Sequence, residues 1–592
     1  MNSLDLAIIG NCAYSALIDP VGRIVWSCLP HFDGDPVMNA LLNNGAEDGV
    51  FEVTLEGLVK HEQRYLHNTP ILLTRLEDAH GGAVEIVDFA PRFKHFGRIY
   101  RAPQIFRRIT RIAGLPRVCI RLRPTFEYGA VRPQVNRGSN HIRYATEALT
   151  LRLTTDGPVS YILDEVAFPL EGTVNMILGH DESLTQSIAD TVREFEEKTA
   201  DYWREWARYL SIPFEWQEAV IRAAITLKLC SFEETGAIIA AATTSIPEAI
   251  DSGRNWDYRY CWLRDAYFVV HALNRLGATK TMEDHLRYIG AVVSAETDGA
   301  LKPLYSINLG KSLEERIAAD LGGYRGMGPV RVGNAAYTQL QNDVYGSVIL
   351  ASSQAFFDQR LINPGGAALF ERLEPLGDRA VACFDQPDAG PWELRGRVRV
   401  HTYSSVMCWA ACDRLAKIGA RLGLVDRADF WRAHADRMRS VVLEEAWDPK
   451  QETLVESFGG SDIDASVLLV NTVGFLEADD PRFVKTVAAV EKGLKRGRHL
   501  LRYAGEDDFG VPQTSFTTCT FWYIDAIGAL GRTGEAREMF EELLGCRNHL
   551  GLLSEDIAPE THELWGNFPQ TYSMVGIINS ALRLSRSWEE AL

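Results

Sequence analysis

The chain has 592 residues, 46% of them hydrophobic, and a formal net charge of −18. That length accommodates two or more domains with sizeable cores, and the acidic balance argues against nucleic acid or an anionic membrane as partner, because both require basic patches. The start, MNSLDLAIIGNCAYS, lacks the layout of a secretory signal, and no apolar run reaches membrane-spanning length. The ten cysteines are scattered without a C-x-x-C pair; read as small buried hydrophobes in a reducing compartment, they point with the missing signal to a cytoplasmic protein.

The first third reads as β-structure. Phe51, Val53 and Leu55 alternate with Glu52, Thr54 and Glu56, and Val118, Ile120 and Leu122 with Cys119, Arg121 and Arg123. Leu149, Leu151 and Leu153 alternate with polar residues in the same way. A period of two predicts strands with one face buried. Asp19-Pro20-Val21-Gly22 predicts a tight turn, and "HGGAVEI" at His80 another. Many short strands separated by turn signals suggest an antiparallel β-sandwich over 1–185. The stretch 186–213 carries Ile188, Val192, Phe195, Tyr202 and Trp206 at helical spacing and predicts an amphipathic linker helix.

From 214 to 592 the pattern is helical. Helices are predicted at 216–231, 265–277, 281–295, 337–357, 366–376, 401–420, 426–445, 465–475, 480–495, 515–531, 534–545 and 569–585. A bundle, a solenoid or a closed barrel of helical hairpins would each accommodate them, and no short repeat favours the solenoid.

Dense polar and aromatic stretches lie between these helices, where sites are commonly built. "RNWDYRYCWLRDA" (254–266) mixes Trp256, Tyr258, Tyr260 and Trp262 with Arg254, Asp257, Arg259, Arg264 and Asp265. A sugar ring asks for this mixture: aromatic faces for its C–H surfaces, and fixed charged donors and acceptors for its hydroxyl rim. A buried ion-pair network would use the same residues. Glu393 follows Pro391-Trp392, and desolvation beside an indole would raise its pKa and suit it to acid catalysis; pairing with Arg395 or Arg397 is the structural alternative. Glu555, in Leu553-Ser554-Glu555-Asp556, is either a second catalytic carboxylate or part of a helix start capped by Ser554. Neither a P-loop nor a G-x-S-x-G elbow nor a His-rich metal spacing is present, so neither cofactor nor metal is expected.

Taken together, these stretches resemble glycoside hydrolase family 15, the glucoamylase and bacterial or archaeal trehalase family. "IGNCAYSALIDPVGRIVWSCLPHFDGDPV" resembles the amino-terminal segment of the trehalase-like members. "RNWDYRYCWLRDA", "PVRVGNAAYTQLQNDVYG", "PWELRG", "TFWYIDA" and "LLSEDIAPETHELWGNFPQTYS" follow in the family's order. The resemblance covers nearly the whole chain. It implies an amino-terminal β-sandwich, a helical linker and an (α/α)6 barrel. It also implies an inverting exo-hydrolase that releases β-glucose from the non-reducing end of an α-glucoside such as trehalose or a malto- or isomalto-oligosaccharide. Glu393 matches the family's general acid and Glu555 its general base. Arg264 and Asp265 match the pair that holds hydroxyls of the terminal glucose, Trp262 an aromatic wall, and Tyr258 a tyrosine beside the attacking water. Trp392 and Trp565 complete the expected substrate contacts. The two acids require opposed tuning, with Glu393 raised and Glu555 ionised.

The chain departs from the family at His31, in place of a frequent Arg, at Trp565, in a usually small or aliphatic position, and at Val511-Pro512-Gln513-Thr514, in place of a Gly-rich stretch. The resemblance implies that these positions face the leaving group. The expected partner is a small α-glucoside, with no nucleic acid and no membrane, and a homo-oligomer is compatible with the sequence. Two other readings are an inverting disaccharide phosphorylase, against which retention of Glu555 argues, and a non-catalytic sugar-binding protein, against which the presence of both acids argues.

Overall fold

A computed structural model describes residues 3–296, 299–310 and 312–592. Two antiparallel sheets form the amino-terminal part. One is built from strands Ala7–Gly10, Ser15–Ile18, Ile24–Leu29, Asp35–Met38, Val50–Leu55, Arg117–Arg123 and Phe168–Pro169. The other has eight strands, with Thr173–His180 and Ile105–Ala113 at its centre. Phe51, Val53, Ile120, Ile86, Ile109, Leu153 and Leu178 meet between the sheets in one apolar core, the usual arrangement of a β-sandwich. The turn at Asp19 closes as expected: its Oδ1 accepts from the Val21 and Arg23 amides at 3.1 and 2.9 Å. At the second turn Asp78 Oδ1 accepts from the His80 and Gly82 amides at 2.7 and 2.8 Å.

The polar faces of these strands are not simply solvated. Glu52 and Arg152 are buried, Glu52 in an ion pair with Arg121 and Arg152 beside Asp181. Leu6, Ile8, Leu17, Trp26 and Phe32 point the other way and join the core of the helical part. The first sheet is therefore covered on both sides, and alternation blurs where a sheet has two buried faces. The linker helix, Ile188–Arg208, begins at Ser187, whose side chain accepts from the Asp190 amide. Val192, which the sequence pattern selects, is fully buried, as are Thr199 and Trp203, the last one position from the Tyr202 that the pattern also selects.

All twelve predicted helices of the second part are present, and they alternate between two rings. The inner ring comprises Leu263–Arg275, Asp343–Ser353, Thr402–Leu422, the short helical segment 465–472, Thr517–Ala529 and Thr571–Leu584. The outer ring comprises Gln217–Leu229, Thr279–Ala295, Ala367–Cys383, Val425–Glu445, Pro481–Leu494 and Thr533–Gly545. Thr571–Leu584 packs on Leu263–Arg275 as well as on Thr517–Ala529, which closes the inner ring into an (α/α)6 barrel. One helix from each ring shows the contrast between them. Every residue of Asp343–Ser353 is buried, whereas Val425–Glu445 buries only Trp431, Ala435, Met438 and Val442, one stripe at helical spacing. A helix apolar on all sides must be surrounded, and a one-stripe helix faces solvent.

The segments that lead into the inner helices gather at one end of the barrel. Trp262, His401, Phe516 and Gln570 are the residues immediately before four of these helices. The positive ends of the inner helix dipoles therefore converge where the polar and aromatic stretches lie, an environment that favours carboxylates. No helix among the described residues is long and apolar enough to cross a membrane.

Candidate active site

The stretch before Leu263–Arg275 runs extended, and its residues divide by parity. Arg254, Trp256 and Tyr258 line a cavity at the barrel mouth. Asn255, Asp257 and Arg259 face away and are fully buried. Arg259 donates to Asp257 Oδ1 and Oδ2 at 2.8 and 2.7 Å and reaches across to the sandwich, to the Gly34 carbonyl at 2.9 Å and the Tyr128 hydroxyl at 3.0 Å. Tyr260 donates to Asp257 at 2.9 Å. One short strand thus supplies a cavity wall on one side and an inter-domain clamp on the other, which is why it carries both aromatics and charges. Trp262, Arg264 and Asp265, at the start of the following helix, line the cavity again.

Glu393 and Glu555 line the same cavity. Glu393 sits at the tip of a tight turn with φ +62°, a left-handed conformation that costs a non-glycine residue about 1–3 kcal/mol. Gln339 holds the turn through the Glu393 and Leu394 carbonyls at 3.1 and 3.3 Å. The preceding Gly390 also has positive φ, and a Cβ there would lie 2.8 Å from the His401 ring. Glu393 Oε1 accepts from Trp262 Nε1 at 2.6 Å, Arg264 Nη2 at 3.3 Å and Gln341 Nε2 at 3.3 Å. Oε2 has no hydrogen-bond partner among the described residues and is the oxygen available to a ligand. Arg395 and Arg397 pair with Glu315 and Glu456 instead, so the structural alternative for Glu393 does not arise.

Glu555 is fully buried at the start of a hairpin. Its Oε1 accepts from the Tyr258 hydroxyl at 2.7 Å and its Oε2 from the Asn567 amide at 3.2 Å. Gly566 passes so close that a Cβ there would lie 2.6 Å from Glu555 Cβ and 2.7 Å from Oε2. Ser554 caps no helix; its hydroxyl donates to the Asp556 carbonyl at 2.8 Å. Burial pushes the Glu555 carboxyl well above the usual carboxylate range, and the Glu248 and Asp556 carboxylates push it further, against the Tyr258 hydrogen bond and the Arg502 guanidinium. Asp556 is pushed up to about 8, first by burial and then by Glu248. This departs from the expectation that Glu555 is ionised in the ordinary way. Glu555 and Asp556 lie beside the Glu248 carboxylate, and negative charge held close by in a low dielectric disfavours their ionisation.

Arg264 donates to Gln341 Oε1 at 2.9 Å and to Asp343 Oδ2 at 3.3 Å, and lies 3.8 Å from Asp265. Burial lifts Asp265 to about 7, opposed by Arg264. Beside this pair the hydroxyls of Tyr403 and Tyr572 line the cavity, buried and without a hydrogen-bond partner among the described residues. Unpartnered buried hydroxyls are costly unless a ligand or water completes them, so this end of the cavity is equipped for the rim of a sugar. Trp392, Trp522 and Phe516 add an aromatic surface, with Trp392 Nε1 donating to Asp464 at 2.5 Å. At the rim Arg395 stacks 4.5 Å from the Trp256 ring, Phe509 meets the same ring edge-on at 5.1 Å, and the Arg395 and Gly396 amides donate to Asp508 at 2.7 and 3.1 Å.

Tyr258, Trp262, Arg264, Asp265, Trp392, Glu393 and Glu555 therefore meet in one cavity. Trp565 does not line it. It lies buried on the far strand of the Glu555 hairpin, edge-on to Tyr324 at 6.4 Å and under the Arg325 guanidinium at 5.3 Å. Its side chain is claimed by that aromatic and cationic contact, which corrects the expectation of a substrate contact. His31 packs edge-on against Phe232 at 5.3 Å, and Gln513 is exposed outside the cavity. Sequence reasoning missed Glu248, Gln339, Gln341, Tyr403, Arg502 and Asp507. Glu248 accepts from Trp256 Nε1 at 2.8 Å and pairs with Arg502, while Asp507 forms a two-pronged pair with Arg254 at 2.6 Å. Gln339 and Gln341 stood within a stretch already singled out; the others carry no local signal.

Both parts of the chain are similar to known proteins. The family model described as Glycosyl hydrolases family 15 matches residues 216–582, and the model described as Trehalase-like, N-terminal matches residues 4–167. A trehalase of Thermoplasma volcanium is 32% identical over 602 residues, covering 99% of this chain and 93% of its own. A trehalase of Mycobacterium tuberculosis is 32% identical over 635 residues, covering 99% and 90%. The crystal structure of a bacterial glucoamylase complexed with acarbose matches with a TM-score of 0.70 over 98% of this chain and 94% of that one, at 13% identity, a likeness of fold. The chain belongs to glycosyl hydrolase family 15 and is a glycoside hydrolase.

Proposed function

We propose that this enzyme is an α,α-trehalase that cleaves its substrate with inversion, Glu393 acting as general acid and Glu555 as general base. The observation that carries the reading is that the two carboxyls line one cavity, each gripped by a different aromatic donor of the same short stretch. The substrate is taken from relatives named trehalases that align over nearly their whole length.

One glucose binds with its hydroxyl rim against Arg264, Asp265, Tyr403 and Tyr572. Glu393 delivers a proton from Oε2 to the glycosidic oxygen as the bond to the anomeric carbon breaks. The three donors on Oε1 then stabilise the carboxylate left behind. Glu555 accepts a proton from water attacking the opposite face, and Tyr258 orients both the carboxylate and that water. Positive charge on the ring in between is stabilised by the surrounding carboxylates.

Inversion makes a specific prediction for trehalose. The attacked glucose becomes the β-anomer, and the departing glucose keeps its α-configured bond. Proton NMR at early times therefore shows α- and β-glucose in equal amounts. Release of α-glucose alone would mean retention. A panel of trehalose, maltose, isomaltose and malto-oligosaccharides, with and without phosphate, tests the substrate: a higher kcat/KM on a maltose-type substrate overturns the trehalase assignment, and accumulation of β-glucose 1-phosphate would mark a phosphorylase.

A further inference from the structure

We propose that His499, Cys546 and His562 form a binding site for a late first-row metal dication such as zinc, outside the catalytic cavity. His499 Nε2 stands 3.2 Å from His562 Nδ1, and Cys546 Sγ stands 3.3 Å from the same nitrogen. The three ligand atoms all lie within 4.8 Å of one another. Zinc takes imidazole nitrogen at about 2.0–2.1 Å and thiolate sulfur at about 2.3 Å in a tetrahedron. Those bond lengths place two nitrogens about 3.3 Å apart, and a nitrogen and a sulfur about 3.6 Å apart. The observed separations correspond to two such edges, and the third lies within 4.8 Å.

The donor set selects the ion. Two imidazoles and a thiolate suit zinc and its neighbours, whereas calcium and magnesium require oxygen ligands. His562 is exposed and Cys546 partly so, while His499 is buried. An ion can therefore enter from solvent, with water as the fourth ligand. On binding, Cys546 gives its thiol proton to solvent and each imidazole offers a ring-nitrogen lone pair, so the hydrogen-bond contacts at His562 are replaced by metal bonds without any redox change.

The position gives the site a consequence. His499 opens the strand His499–Leu500, Cys546 follows the outer helix Thr533–Gly545, and His562 sits in the hairpin between Asp556–Ile557 and Leu564–Trp565. That hairpin begins one residue after Glu555 and ends one residue before Gly566. A bound ion ties it to the outer ring of the barrel. The partners lie 16 and 63 positions from His562, a spacing that no short metal motif matches, which is why the sequence concealed the site.

The test uses the full-length chain stripped with a chelator and titrated with zinc or cobalt(II). The expected result is one equivalent per chain, a thiolate-to-cobalt charge-transfer band, and a Tm raised by zinc. Cys546→Ser and His562→Ala, both at accessible positions, should fold and turn over substrate like the wild type in chelator. Both should lose the band and bind zinc at least about tenfold more weakly. A wild type without the band, or a band that persists in Cys546→Ser, overturns the assignment.

Discussion

The rings of Tyr258 and Trp262 meet edge to face at 5.3 Å, and each donates a hydrogen bond to a different carboxylate, Tyr258 to Glu555 and Trp262 to Glu393. Two aromatic residues four positions apart thus hold the two acids in a common frame.

If the two acids divide the chemistry, Glu393→Gln and Glu555→Gln should each lower kcat by about 10²–10⁴-fold, with thermal unfolding within a few degrees of the wild type. The isosteric amides keep the packing. Steady-state kinetics with calorimetry on the same samples checks this, and a variant that keeps near-wild-type turnover loses its assigned role.

Tyr258→Phe and Glu248→Gln should move the pH–rate profile in opposite directions. The Tyr258 hydrogen bond favours ionised Glu555, so its loss raises the Glu555 pKa and carries the acid limb of kcat/KM to higher pH. Glu248 disfavours ionised Glu555, so its neutralisation carries the limb to lower pH. Shifts of equal sign would refute the picture.

Gly566→Ala is expected to fail for a steric reason. The backbone there has φ +73°, and the added methyl would lie 2.6 Å from Glu555 Cβ. Displacing the carboxylate should cost most of the activity, and the strained backbone about 1–3 kcal/mol of stability. A variant with normal kcat would show that the hairpin yields without moving the base.

The turn that carries Glu393 should make stability pH-dependent on the alkaline side. Asp388 anchors it by accepting from His401 Nδ1 at 2.7 Å, Ser404 at 2.7 Å and the Asn342 amide at 2.8 Å. Burial opposes charge on His401, but Asp388 and Glu456 outweigh it and bring its pKa from 6.5 to about 9. The folded value lies above the unfolded one, so the stabilisation is complete below about 6.5 and is lost as pH rises through about 9. It amounts to about 3 kcal/mol. Urea unfolding at pH 6 and pH 10 should show the gap between wild type and His401→Gln shrinking at the higher pH; a constant gap would mean that His401 carries no charge in the fold.

Much of this architecture was legible because it is written in local periodicity. Helix Thr402–Leu422 could be located from Val406, Trp409, Leu415 and Ile418 alone, and the turn at Asp19 from four residues. The family motifs marked the stretches that bear Glu393 and Glu555. What local pattern hid was the use made of each residue. Trp565 looks like a sugar platform, yet Tyr324 and Arg325 occupy it. Glu248 has no distinguishing context, yet it adds to burial in raising the Glu555 pKa through a distance that only folding defines.

By itself, the sequence determined the two-part architecture, the helix inventory and the family, because these follow from hydrophobic period and from motifs read along the chain. Only the tertiary structure decided which helices line the barrel, which face of the 254–262 stretch meets the cavity, and that Glu555 sits among like charges. The physical reason is that burial and Coulomb interaction depend on separation in space. Closing the ring of helices brings Tyr258 to 2.7 Å from a residue 297 positions away.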